Sequence, residues 1–235
     1  MYEYQGLSDA FFLMLYGAAA WFALLACVYL LWRRGNAVVG DEISSSHELR
    51  RWTAGFMAAV FASHVWWVLL GQQFLTDDQL VRNIVAITLD RLTFVPLMMC
   101  VLLRMLQDRR RPVWPVWAVV APIVVLAVVC IAMHSDMFEP VVELYMVVVA
   151  IAFLVYYVQA VRQYGRWLLD NYADLERKEV WQSLLLLALI LFVHVAYSTN
   201  SGALVTEYLA QVNTFVIIAF LVWRVESLQE LDSEE

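Results

Sequence analysis

Apolar residues fall in seven long runs along this 235-residue chain, separated by short polar stretches. A helix needs about 20 apolar residues to cross the hydrocarbon core of a bilayer. The runs at 9–31, 53–70, 84–106, 113–133, 141–163, 181–198 and 204–223 meet or approach that length. The pattern predicts an all-α fold, a seven-transmembrane helix bundle spanning residues 1–223, with an acidic tail at 224–235. Local chemistry marks the joints. Ser45 with Glu48 fits a capping box opening the second helix. Arg109-Arg110-Arg111-Pro112 closes the third, and Pro115 falls in the first turns of the fourth, where proline is tolerated. Pro96 and Pro122 lie inside the third and fourth spans, where each is expected to kink its helix and free a carbonyl.

Charge gives the bundle a direction. Of the fifteen Lys and Arg residues, thirteen fall at alternate span ends: Arg33, Arg34, Arg50, Arg51, Arg104, Arg109, Arg110, Arg111, Arg162, Arg166, Arg177, Lys178 and Arg224. Only Arg82 and Arg91 fall on the other side. By the positive-inside rule the crowded side is cytoplasmic, so the N-terminus is expected outside and the C-terminus inside. Trp32, Trp52, Trp114, Trp117, Trp167, Trp181 and Trp223 mark the same boundary, as an interfacial aromatic belt does. The chain is 63% hydrophobic and 16% charged, far from a soluble balance. The first run lacks a positive n-region and reads as a span with a stop-transfer flank at Arg33 and Arg34. No basic stripe suggests nucleic acid. The basic face suits anionic lipid headgroups, so membrane lipids are the expected surroundings. Cys27, Cys100 and Cys130 lie within spans, match no metal spacing and read as small buried hydrophobes.

Residues 164–180, between spans five and six, carry Trp167, Leu168, Tyr172 and Leu175 against Asp170, Asp174 and Arg177. This is the pattern of a cytoplasmic amphipathic helix lying at the interface, with Gly165 as its break from the fifth span. Beyond the last span, Val222, Val225, Leu228 and Leu231 continue the helix towards the cytoplasm. The two segments emerge on one side and are expected to share a docking surface for a cytoplasmic signalling partner or a second copy of the chain.

Polar groups inside a membrane are costly and commonly functional. Counted at about 1.5 Å per residue, His64, Asp90, Arg91, Glu143, His194, Tyr197, Glu207 and Asn213 all fall in the outer half of the bundle. His134 and Asp136 sit at the mouth of span four. The inner half is nearly free of charge apart from Arg104. The eight residues are expected to line an outward-facing polar pocket for a small ligand whose identity the residues do not give. Their chemistry admits a metal-dependent membrane hydrolase using His64, His194, Asp90 and Glu143. No pair on one helix supports it, and no catalytic, metal or cofactor residue is assigned. A haem held by His64 and His194 lacks a second pair at the inner level. Retinal fails, because the single lysine, Lys178, lies in a loop. A small transporter or scaffold subunit is the remaining alternative, without the internal repeats a transporter commonly shows.

Two segments carry a resemblance. The stretch 162–183, RQYGRWLLDNYADLERKEVWQS, and Leu89-Asp90 followed by Pro96 resemble the seven-transmembrane sensory regions of certain bacterial membrane-bound signalling proteins. Those regions precede a histidine-kinase or helix-turn-helix output domain. The resemblance implies a bacterial inner-membrane sensor that binds a ligand outside and relays a change of shape to the cytoplasmic side. No such output domain lies within these 235 residues, so the chain is expected to be the sensor half of a longer protein or to act through a partner.

Overall fold

The computed structural model describes residues 10–33, 46–71, 75–107, 112–171, 180–181, 183–184, 204–228 and 230. Among them all regular structure is helical: α1 Ala10–Trp32, α2 His47–Gly71, α3 Gln79–Met105, α4 Trp114–Ala118, α5 Ala121–Ala132, α6 Glu139–Asn171 and α7 Leu204–Ser227. With α4 and α5 taken as one span, six stretches among the described residues are long and apolar enough to cross a membrane. The expected span at 181–198 lies almost wholly outside the described residues, as do Ser45 and the arginine run at 109–111.

The surface is that of a membrane protein. Phe11, Met14, Trp21, Leu25 and Trp32 form an exposed apolar stripe along α1. Leu144, Val148, Ile151 and Val155 do the same along α6. These residues recur at steps of three, four or seven, so each stripe keeps to one helix face. In water such faces would be penalised at roughly 25 cal/mol per Å²; in lipid they are at home.

Packing is uneven. In α2, 44% of the membrane-length stretch is buried, against 17% in α4–α5 and 17% in α6. Helix α2 therefore lies centrally, between α1 and α3, with α7 against α1 and α2. Arg50 at the start of α2 meets carbonyls at the end of α1, and Tyr16 near the start of α1 meets the His64 carbonyl late in α2. The two helices thus run antiparallel. Glu48 pairs with Arg104 of α3, so α3 runs opposite to α2. Gln211 and Glu226 of α7 meet His64 and Arg50, which also sets α7 antiparallel to α2. The bundle accordingly has an Arg50 end and an Asp78 end. The main hydrophobic core, including Leu49, Met57, Leu102, Tyr157, Leu168, Leu221 and Val225, lies towards the Arg50 end.

Helix ends follow ordinary capping chemistry. Asp78 caps α3, accepting from the backbone N–H of Leu80 and Val81 at 2.9 and 3.3 Å. Its other carboxylate oxygen meets His134 at 3.1 Å. His134 itself has φ 48° and closes α5 in a Schellman arrangement, with Ser135 N–H bonded to the Cys130 carbonyl and its own N–H to Ile131.

The two in-span prolines behave differently. Helix α3 runs through the buried Pro96 without a break. At Pro122 the fourth span is interrupted: α4 ends at Ala118, a turn covers 119–120, and α5 begins at Ala121. A proline ring clashes with the carbonyl four residues earlier, which here belongs to Ala118. The Ile123 N–H bonds to Val120 rather than Val119, and the Tyr145 hydroxyl of α6 donates to the Val119 carbonyl at 2.7 Å. A neighbouring helix thus satisfies a group that the break releases.

The expected break at Gly165 is corrected. Helix α6 continues unbroken from the fifth span to Asn171. A Cβ at Gly165 would meet nothing within 4 Å, so the glycine neither breaks the helix nor is needed for close packing. Leu168 is buried in the core while Trp167 and Leu169 are exposed; the apolar residues at this point are divided between two faces. Tyr172 and Leu175 lie outside the described residues.

Candidate functional site

Three residues of α2 converge on one carboxylate of α3. Ser63 donates to Asp90 Oδ1 at 2.6 Å and Trp66 Nε1 to the same oxygen at 3.2 Å. Trp67 Nε1 donates to Oδ2 at 2.7 Å. Residues 63, 66 and 67 stand at i, i+3 and i+4, one face of a helix. Asp90, Trp66 and Trp67 are half-buried and Ser63 is buried. Each such bond contributes about 0.5–1.5 kcal/mol with a neutral acceptor and about 1.5–3 kcal/mol with an ionised one, so the knot fastens α2 to α3. All three donors are neutral. Among the described residues, no Arg or Lys pairs with Asp90.

His64 lies beside this knot and is buried among α1, α2 and α7. Its Nδ1 is 2.8 Å from the Val60 carbonyl and its Nε2 3.1 Å from the Gln211 amide oxygen. Its ring centroid is 4.4 Å from that of Tyr16, whose hydroxyl donates to the His64 carbonyl at 3.0 Å. Because Nδ1 faces a carbonyl it carries a hydrogen. A neutral ring then accepts at Nε2 from the Gln211 NH₂, whereas an imidazolium donates to the Gln211 oxygen. A turn of the amide serves either form.

Of the other expected pocket residues, four are described: Arg91, Glu143, Glu207 and Asn213. Arg91 turns to Glu139 at the start of α6, at 2.5 Å. Glu143 is exposed on α6. Glu207 lies half-buried in the first turn of α7. Asn213 is half-buried on α7, and the side chain that α7 brings to His64 is Gln211. At 100° per residue the two stand about 200° apart around the helix. His194 and Tyr197 lie outside the described residues. Among the described residues of the set, His64 and Asp90 are brought side by side, Ser63 next to His64 bonding to Asp90. Among the described residues no three His, Cys, Asp or Glu side chains gather as a metal site requires.

The Arg50 end holds a second polar centre. Arg50 Nη1 meets Glu226 Oε1 at 2.6 Å, with the two side chains 8% and 0% exposed. Its Nη2 donates to the Arg33 carbonyl at 2.6 Å and its Nε to the Leu30 carbonyl at 3.4 Å. One guanidinium thus caps α1, begins α2 and holds the end of α7. Both residues lie just outside the expected runs 53–70 and 204–223, at the end of the bundle that the cations crowd. Arg50 reads as one more basic flank and Glu226 as the start of an acidic tail until the fold brings them together.

Family models, curated proteins and solved structures were compared with this chain, and none matches.

Several residues of the two centres carry no obvious sequence signal. Gln211 is one polar residue in an apolar run, and Tyr16 reads as aromatic packing. Ser63, Trp66 and Trp67 offer a usable one: three hydrogen-bond donors on one helix face, at the depth of a lone acid on the next span.

Proposed function

We propose that this chain is a sensor or receptor-like protein of the bacterial inner membrane. In this reading it is a seven-helix bundle with the Asp78 end outside and the Arg50 end in the cytoplasm. The observation that carries the reading is the double role of α2 and its neighbours. Helices α1, α2 and α7 meet through the buried His64 and Gln211 and the half-buried Tyr16 at one end and through the buried Arg50 and Glu226 at the other. About 21 Å of α2 separates Arg50 from His64. A small molecule bound at the Asp90–His64 region that favours one arrangement of these helices shifts the population of the other end as well. The cation asymmetry supports the orientation, and the uncommitted polar capacity at the Asp90 end supports a ligand there.

The test uses a reporter at the far end. The native cysteines Cys27, Cys100 and Cys130 are buried, and Arg51 is exposed, so an environment-sensitive fluorophore attaches selectively to Arg51→Cys. Its emission is expected to change when His64→Gln or Asp90→Asn is introduced. Identical emission in all three proteins would remove the relay. An impermeant maleimide on intact cells is expected to label Met137→Cys, at an exposed position, and to label Arg51→Cys only after the cells are opened. Labelling of position 51 from outside would reverse the orientation.

A further inference from the structure

We propose that the Asp90 knot is the recognition point for an organic ammonium cation, a proposal that rests on the ligand-binding reading above and names its ligand class. The argument begins with charge. An ionised Asp90 brings one negative charge into the bundle, and its three donors among the described residues, Ser63, Trp66 and Trp67, bring none. Arg91, the next residue, is directed to Glu139, and Arg82 donates to the Thr76 carbonyl. Neither ring nitrogen of His64 contacts the carboxylate; they are directed to Val60 and Gln211. A charge at this depth calls for a partner.

The chemistry of the surroundings decides which partner. A hard metal ion takes six or so oxygen ligands. The knot offers two carboxylate oxygens and one hydroxyl, already bonded, beside two indoles. A proton on Asp90 would reduce three charge-assisted bonds to ordinary ones. An ammonium group needs one carboxylate and an aromatic wall, and Trp is the best aromatic partner for a cation within about 6 Å of its ring. The carboxylate has about four lone-pair directions; Oδ1 uses two and Oδ2 uses one, so Oδ2 has one acceptor direction unused. Asp90, Trp66 and Trp67 are half-buried rather than sealed. The three donors fix the carboxylate in place before any ligand arrives, so little ordering is left for binding.

The test is calorimetric titration of the full chain in uncharged maltoside micelles with tetramethylammonium chloride. Sodium chloride and tert-butanol, a neutral molecule of similar shape, serve as controls. Saturable binding of tetramethylammonium alone is expected, and Asp90→Asn is expected to weaken it by about tenfold or more. Should Asp90→Asn fail to fold, as read by helical content and melting, Trp66→Leu decides the matter. It removes the longest of the three bonds and one indole, and is expected to weaken binding about threefold or more. Absence of saturable binding by the native chain, an equal response to sodium chloride or tert-butanol, or full affinity in the folded variants would overturn the proposal. The reporter at position 51 separates the two readings. If tetramethylammonium fails to bind while that reporter still follows Asp90→Asn, the cation class falls and the relay stands. If it binds while the reporter is silent, the cation class stands and the relay falls.

Discussion

The two ends of α2 solve the problem of polar atoms in a membrane in opposite ways. At the Arg50 end a cation and an anion are sealed together, and the surplus guanidinium donors are used on the carbonyls that finish α1. That centre pairs opposite charges and is nearly inaccessible. At the Asp90 end one carboxylate is surrounded by neutral hydroxyl and indole donors and is left half-open. The first arrangement suits a joint. The second suits a place where something else completes the charge. The hydrophobic core agrees, since the largest fully buried side chains, such as Tyr157, Leu102, Leu168 and Leu221, gather towards the sealed end.

The contrast has measurable consequences. The largest is expected from Glu226→Ala. Removing one partner of a buried pair leaves the other charge uncompensated, at about 3–5 kcal/mol. The unfolding midpoint in detergent is expected to fall sharply, and Arg50→Met with Glu226→Leu is expected to recover most of the loss. A double variant as weak as the single one would mean that Arg50 stabilises chiefly through the Leu30 and Arg33 carbonyls.

Asp90→Ala comes next. It strands the Ser63 hydroxyl, the one fully buried donor of the three, at roughly 1–3 kcal/mol for a buried polar group left unmade, while the half-buried indole N–H groups find other partners. Tryptophan emission should shift with it, since Trp66 and Trp67 lose their acceptor. Unchanged emission would argue against those bonds in the membrane.

Smaller still is Tyr145→Phe, which takes away the donor to the Val119 carbonyl at the Pro122 break. A loss of about 0.5–1.5 kcal/mol is expected, together with faster hydrogen exchange around 119–124. The smallest effect belongs to Glu48→Gln. Its partner Arg104 is 3.1 Å away, but the Glu48 side chain is 62% exposed, so screening limits the change to about 0–1 kcal/mol. A loss as large as that of Asp90→Ala would show that this pair is less solvated than its exposure implies.

Much of the helical framework was legible because it depends on hydropathy alone. The runs at 9–31 and 84–106 lie within about five residues of α1 and α3 at each end. Residues can be counted from a span end, which put His64 and Asp90 at one expected level; in the structure Ser63, next to His64, bonds Asp90. Azimuth and partner were not legible. Counting residues cannot distinguish Gln211 from Asn213, though they lie on different sides of α7. Trp66 and Trp67 look like lipid-facing aromatics until the Asp90 oxygens are found beside them. Arg50 and Glu226 are 176 residues apart, and nothing local in either segment marks them as a pair. Proline positions were visible, but not that Pro96 would leave α3 continuous while Pro122 would split its span.

The central claim is that the two ends of α2 belong to one coupled system, and a double-mutant cycle tests it most directly. Asp90→Asn and Glu226→Gln are made singly and together, and unfolding free energies are compared in the same detergent. Sites separated by more than about 10 Å with no shared partner normally add within about 0.3–0.5 kcal/mol. Coupling through α2 is expected to give an interaction energy above that range, about 0.5–2 kcal/mol. Strict additivity would contradict it and leave two independent polar centres on one helix.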